Sequence, residues 1–256
     1  MVTIKNEQEI ASLRKAGKIV ADVLHLVRDI IRPGVDTLTL DAEAEKLIIA
    51  SGARPAFKGY TVPGVLVPFP GTLCVSINDE VVHGKPDRDR ILQEGDVVSV
   101  DVGVRFEGFY GDAACTFPAG DISPEREALL RVTRECLERA IAASREGATL
   151  GDIGHAVESW AVPRGYGVVR EYAGHGIGRK LHEAPQIPNY GVPGKGITLK
   201  RGMSLAIEPM IMTGKEAVRT LKDGWTVVTA DGSDAAHFEK TIVITGGDPE
   251  VITPWE

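Results

Sequence analysis

LQEGDVVSVD, residues 92–101, returns as LKRGMSLAIE at residues 199–208. Leucine, glycine, an apolar strand and a terminal acid coincide in the two segments. A second acid follows each. In the first half it is Asp112, within SVDVGVRFEGFYGDAACTFPAG at residues 99–120; in the second it is Glu239, within HFEKTIVIT at residues 237–245. The stretch 99–120 reads as two strands joined by a short glycine turn, so Asp101 and Asp112 are strand residues set beside apolar runs. Burying an unpaired carboxylate is costly, which makes the repeat a question about chemistry as well as about fold.

The repeat extends to the segments ahead of each strand pair. Apolar residues recur at helical spacing from about residue 6 to residue 31 (Ile10, Leu13, Ala16, Gly17, Val20, Leu24, Val27, Ile31), and RPG at 32–34 stops that helix. A second helix is expected from Asp36 or Thr37 to SGA at 51–53. Ser123 and Pro124 supply an N-cap and first-turn pair for a long helix through Arg145, and another begins near Thr149. The order helix, helix, strands therefore occurs twice. Arg32, Gly34, Leu40, Ala44, Leu47 and Gly52 fall at a constant offset from Arg145, Gly147, Ile153, Val157, Trp160 and Gly165. The expectation is a single domain, 1–256, made of two pseudo-symmetric halves, about 1–120 and 121–256, each offering two carboxylates from sheet positions.

Bulk composition narrows the function classes. A chain of 256 residues buries a sizeable core without staples. Its formal charge of -7 leaves no electrostatic footprint for nucleic acid or an anionic membrane. No uninterrupted apolar stretch suggests a signal peptide or a membrane span. Cys74, Cys115 and Cys136 are too few and too scattered for a disulfide framework or a closed zinc site, which suits a reducing cytoplasm.

Four ionised carboxylates facing one cleft would repel each other and lose their hydration. Arg105 and Lys240 are the only cations near the acid strands, too few for the set. Two divalent ions would balance four negative charges, and ions roughly 3.5–4 Å apart recur in hydrolytic sites. Taken singly, each acid reads better as a strand-end residue facing solvent or a helix cap; the repeat-related set of four, beside a histidine-rich loop, favours metal. Beside it stands a histidine-rich loop, EYAGHGIGRKLHEAPQIPNYG at residues 171–191. Glycines flank His175 and leave its imidazole unobstructed. His182 lies too far along for a single helical ligand pair, and His83 closes another strand in SINDEVVHGKP at 76–86. His25, His155 and His237 read as structural imidazoles bonded to backbone. Four carboxylates with one imidazole suit Mn, Fe(II) or Co better than a structural zinc, and such a site hydrolyses amides.

INDEVVHGKP, DVVSVDVGVRFEGFYGDAA, GHGIGRKLHEAPQIPNYG, GMSLAIEPM and FEKTIVIT follow one another along essentially the whole chain. In that order they closely resemble the methionine aminopeptidases of the wider pita-bread metallopeptidases. The resemblance implies an α+β pita-bread fold, with a central antiparallel sheet covered by helices, forming one catalytic domain. It implies that Asp101, Asp112, His175, Glu208 and Glu239 hold two divalent ions, with Asp112 and Glu239 as bridges. Glu208 would shuttle a proton, and the substrate's free α-amine would bind one ion. His182 would bond the scissile carbonyl or the tetrahedral intermediate, and His83 would act near the amine or the leaving nitrogen. Tyr60, Phe69, Cys74, Leu181 and Trp225 would form the methionine pocket.

Two departures stand out in this pocket. Leu181 occupies a place where the bacterial pattern usually has Phe, and TVPGVLVPFPGT at 61–72 is longer than the usual loop. The spacing of Glu208 and Glu239 leaves no room for the helical insertion of the second type, so the chain reads as the first type. No zinc-finger or ribosome-binding extension is read ahead of the first helix. The implied activity is removal of initiator methionine from nascent polypeptides whose second residue is small, by a cytoplasmic monomer with no nucleic-acid or membrane partner. X-Pro aminopeptidases and prolidases share the ligand types but usually add a large N-terminal domain, and IPNYG favours the methionine enzymes. Proteins that reuse the fold only to bind RNA or protein would be expected to lose ligands or gain basic patches.

Overall fold

Local chemistry starts and stops the helices close to where the pattern places them. In the computed structural model, which describes residues 2–256, α1 spans Glu7–Ile30. Asn6 caps it reciprocally: Glu9 N–H donates to Asn6 Oδ1 (3.0 Å) and Asn6 N–H donates to Glu9 Oε2 (3.1 Å). Its buried stripe includes Leu13, Val20, Leu24 and Val27. Gly17 lies in that stripe because a Cβ there would collide with the backbone of Ile252, so only glycine lets the C-terminal segment pack this close. α2, Thr37–Ala50, begins after Asp36, whose carboxylate accepts from Thr39 N–H at 2.9 Å. α4, Leu150–Ala161, starts at a capping box between Thr149 and Asp152. α3, Pro124–Ala143, ends short of Arg145: Ser144 is buried, its N–H turns back to Ile141 O, and the helix tightens and stops there.

The strands Asp96–Phe106 and Phe109–Ala119 pair antiparallel along their whole length, closed at Phe106 opposite Phe109. Glu107 and Gly108 both take positive φ (48° and 84°), the backbone that a two-residue hairpin turn requires. The strand Leu73–Ile77 pairs on the other side of Asp96–Phe106, with Cys74 opposite Asp101. In the second half a five-stranded antiparallel sheet runs in the spatial order Glu250–Val251, Lys240–Val243, Ser204–Ile207, Gly174–Gly176, Glu183–Ile187.

The two sheets meet at the acids. Glu239 N–H donates to Ala114 O (2.8 Å), and the Thr241 hydroxyl donates to Asp112 O (2.8 Å). The Thr116 hydroxyl donates to His237 O and accepts from His237 N–H, both at 2.9 Å. One apolar core runs through both halves, joining Val20 and Leu24 of α1, Val100 of the hairpin, Leu137 of α3, Leu205 and Ile242. Among the described residues no helix is long and apolar enough to cross a membrane.

Asp41 of α2 fastens the strand that carries Cys74. It is 4% exposed and accepts from Thr72 N–H (2.7 Å) and Leu73 N–H (2.8 Å). Asp41→Ala leaves both donors buried and unpaired, a loss of about 2–4 kcal/mol. Urea unfolding checks this, with a lower midpoint and an unchanged m-value expected.

Candidate metal centre and cavity

Strand alternation places the acids on one face. Asp101 lies opposite Ala114, two residues from Asp112, so the two aspartates are diagonal neighbours on the same side of the hairpin. His175 lies opposite Ala206, two residues before Glu208, and Lys240 opposite Ile207, which leaves Glu239 beside the end of that strand. The hydrogen bond from Glu239 N–H to Ala114 O then closes the group. His175 Nε2 is 3.6 Å from Asp112 Oδ2 and 3.7 Å from Glu208 Oε1. Asp112, His175 and Glu239 each present one ligand atom within 4.8 Å of the others.

The group meets the requirements of a cation site. Asp101 Oδ1, Asp112 Oδ1 and Glu239 Oε1 are buried and have no hydrogen-bond partner. Neither nearby cation serves them: Lys240 Nζ pairs with Glu256 Oε1 at 2.9 Å, and the Arg105 guanidinium lies over the Tyr110 ring. Burial pushes Asp112 up to about 8. Burial first, and then the neighbouring acids, lift Asp101, Glu208 and Glu239 well above the carboxylate range. His175 Nδ1–H donates to Gly176 O at 2.9 Å, which leaves the Nε2 lone pair facing the acids. An oxygen-rich donor set with one imidazole and unpartnered buried oxygens fits divalent ions.

The acids floor a cavity of about 490 Å³. All twelve residues singled out from the sequence line it. Phe69, Cys74, Leu181 and Trp225 belong with Phe57 to one buried apolar cluster, against which Tyr60 packs. Phe69 and Trp225 meet edge to face, ring centroids 5.3 Å apart. Tyr60 Oη lies 2.7 Å from His182 Nδ1, and the His182 ring meets the His175 ring edge to face at 4.4 Å. His83 holds φ 60°, an uncommon backbone for a residue with a side chain, and packs against Tyr172. Burial, with a smaller contribution from a neighbouring histidine, lowers both His83 and His182 to about 4.

Two imidazoles depart from the reading as structural groups bonded to backbone, His155 by its exposure and His237 by its place in the cavity. His25 Nε2 does lie 3.0 Å from Trp255 O, and His155 is exposed on α4, away from the cavity. His237 instead lines the cavity, with Nε2 buried, unpartnered and 3.6 Å from Glu208 Oε2. His237 ends the strand Ala235–His237 two residues ahead of Glu239, and that nearness to an acid was the available signal. Tyr172 and Met210 also line the cavity; both stand inside quoted motifs, at the start of the histidine-rich loop and the end of GMSLAIEPM, but neither residue was singled out.

A fold that joins the hairpin sheet to the five-stranded sheet, with this group between them, defines a metallopeptidase class. The model of metallopeptidase family M24 matches residues 11–246. The methionine aminopeptidase of Clostridium acetobutylicum is 47% identical over 253 residues, covering 99% of both chains. Methionine aminopeptidase 1 of Bacillus subtilis is 46% identical with the same coverage. Among solved structures, a methionine aminopeptidase from Thermotoga maritima superimposes with a TM-score of 0.95 at 46% identity, covering 99% of both chains. Prolidase from Pyrococcus furiosus shares the fold at 0.76 and 23% identity, this chain covering 66% of it. The chain belongs to metallopeptidase family M24 and, within it, to the methionine aminopeptidases. The fold is the pita-bread fold, and family membership implies use of divalent metal.

The protonation pattern sets the behaviour of the metal-free protein. Acids with raised pKa hold protons that the unfolded chain has released, so they cost stability as pH rises toward about 8. Histidines with lowered pKa oppose this only below their ordinary 6.5, where the unfolded chain gains protons. Above 6.5 the acids alone remain, and chelator-treated protein is expected to lose stability from pH 6.5 to 8. Thermal unfolding with and without added Mn²⁺ checks this, the stabilisation by metal growing with pH.

Proposed function

We propose that this chain removes the initiator methionine from nascent polypeptides whose second residue is small, by hydrolysis at a centre of two divalent ions. Mn, Fe(II) or Co are the ions its donors suit, and the setting is the cytoplasm, with the chain as a monomer. The observation that carries the reading is the convergence of three unpartnered buried carboxylate oxygens, from Asp101, Asp112 and Glu239, on the floor of an apolar cavity. Asp101, Asp112, His175, Glu208 and Glu239 would hold the ions, with Asp112 and Glu239, one from each half, as the bridging residues. Bound there, the ions supply Lewis-acid polarisation of the scissile carbonyl and acidify water.

The chain's own side chains do the rest. Burial raises the Tyr60 phenol, so it keeps its proton and donates to His182 Nδ1. Neutral His182 then carries its proton on Nε2 and presents it to the scissile carbonyl oxygen as negative charge develops there. Glu208, ionised when cations balance the acid group, would take a proton from water and return it to the departing amine. His83, also neutral, bonds the substrate near the amine or the leaving nitrogen. The Phe69–Trp225 pair and the Cys74 and Leu181 side chains receive the methionine side chain, whose thioether favours aromatic edges.

Methionine release from Met-Ala, Met-Leu and Ala-Pro peptides tests the reading, using chelator-stripped protein with Mn, Co or Fe(II) restored singly. Metal-dependent release from Met-Ala, with Met-Leu resisted, is expected; cleavage of Ala-Pro instead would move the chain to the X-Pro peptidases. Glu239→Ala is expected to lose activity and metal stoichiometry together, as read by calorimetric titration of the metal-free protein. His182→Ala is expected to lower kcat by about 10²–10³ with stoichiometry retained. Full activity in Glu239→Ala would overturn the assignment of the centre.

A further inference from the structure

The rim of the cavity carries an apolar segment that the reaction described above does not use. Residues 61–68, TVPGVLVP, run between Tyr60 and Phe69 of the cavity wall and touch it again through Val62. Gly59 N–H donates to Phe69 O (2.8 Å) and Phe69 N–H to Tyr60 O (2.9 Å), which closes the base of the loop. Val65 N–H donates to Val62 O (3.2 Å) across Pro63 and Gly64, the latter at φ 89°, so the tip is a defined turn. Trp225 Nε1–H donates to Val67 O at 2.9 Å and ties the returning limb to the pocket.

Within this tethered loop the side chains divide. Val62 and Val65 pack against the apolar cluster of the cavity. Leu66 and Val67 face solvent, 98% and 65% exposed, the two most exposed large apolar side chains among the described residues. The apolar wall therefore continues from Phe69 and Trp225 through Val62 and Val65 to an outward face that nothing in this protein covers. A substrate longer than a dipeptide has to leave the cavity past its mouth. Tyr60, at the base of the loop, is bonded there to His182, the residue assigned to the scissile carbonyl. With His182 at the scissile carbonyl as proposed, the chain beyond the cleaved bond would pass Tyr60, where this loop is rooted.

We propose that Leu66 and Val67 form an apolar subsite for the third to fifth residues of the substrate polypeptide, adding a preference downstream of the small second residue. The proposal rests on the function proposed above. Its occupant is the substrate itself, since that is the one ligand whose path joins the cavity to the loop.

The test compares methionine release from Met-Ala, Met-Ala-Ser-Ser-Ser and Met-Ala-Leu-Leu-Ser in the metal-loaded wild type and an L66S/V67S variant. The wild type is expected to favour the leucine peptide by about fivefold to tenfold in kcat/KM, the difference residing in KM. The variant is expected to lose that preference while hydrolysing Met-Ala at the wild-type rate. Equal kcat/KM for the two pentapeptides in the wild type, or a preference that survives in the variant, overturns the subsite. A change in association state without loss of preference overturns it in favour of a second copy as occupant. If Met-Ala itself is not cleaved, the reading of the active site fails separately. Fluorescence anisotropy of the labelled pentapeptides on metal-free protein then decides the subsite: tighter binding of the leucine peptide supports it, and equal affinity overturns it.

Discussion

The structure is organised around the mutual repulsion of four carboxylates in a space from which water is largely excluded. Nothing in the apolar core favours that arrangement; it is imposed by backbone hydrogen bonds that leave the acids little freedom to separate. The Glu239 N–H bond to Ala114 O and the Thr241 hydroxyl bond to Asp112 O lock the second-half acid against the first-half acid. The hairpin holds Asp101 and Asp112 as diagonal neighbours on a single pleated face. Such a group is stable with protons or with cations, and three of its oxygens have no partner within the protein. A cation requirement is thus written into the way the halves are joined.

Around this floor the imidazoles are held neutral, and each has one nitrogen committed or shielded. His175 spends Nδ1 on Gly176 O, while His182 is bonded at Nδ1 by Tyr60. Burial, more than charge, sets their protonation, with neighbouring histidines contributing a smaller share to His83 and His182. A cavity whose acids resist ionising and whose bases resist protonation keeps its net charge low until a cation enters. That places polar chemistry beneath an apolar wall of Phe69, Cys74, Leu181 and Trp225 without salt bridges between them.

The helix boundaries were legible because they depend on neighbours in sequence: Asn6, Asp36, Ser123 and Thr149 each stand one residue ahead of a helix. α3 stops before Arg145 because buried Ser144 bonds back into the last turn, a matter of packing around one hydroxyl that no periodicity reports. The hairpin was legible from its glycine turn, and the acids from their recurrence. His237 was misread because a histidine in a strand looks the same whether its ring meets backbone or cavity.

The amino-acid sequence by itself determined the repeat, the carboxylate positions and the glycine-flanked histidine, since these are properties of spacing and residue type. Only the tertiary structure decided that Asp112 meets Glu239, that Tyr60 bonds His182 and that His237 faces Glu208. Those pairs are remote in the chain, and their approach depends on how the hairpin is joined to the later strands through Ala114, Thr116 and Asp112. The exposure of Leu66 and Val67 was likewise decided in three dimensions: Trp225, far along the chain, holds the loop that carries them. Spacing encodes which groups exist, whereas burial and contact, which govern pKa and reactivity, arise when distant segments exclude water together.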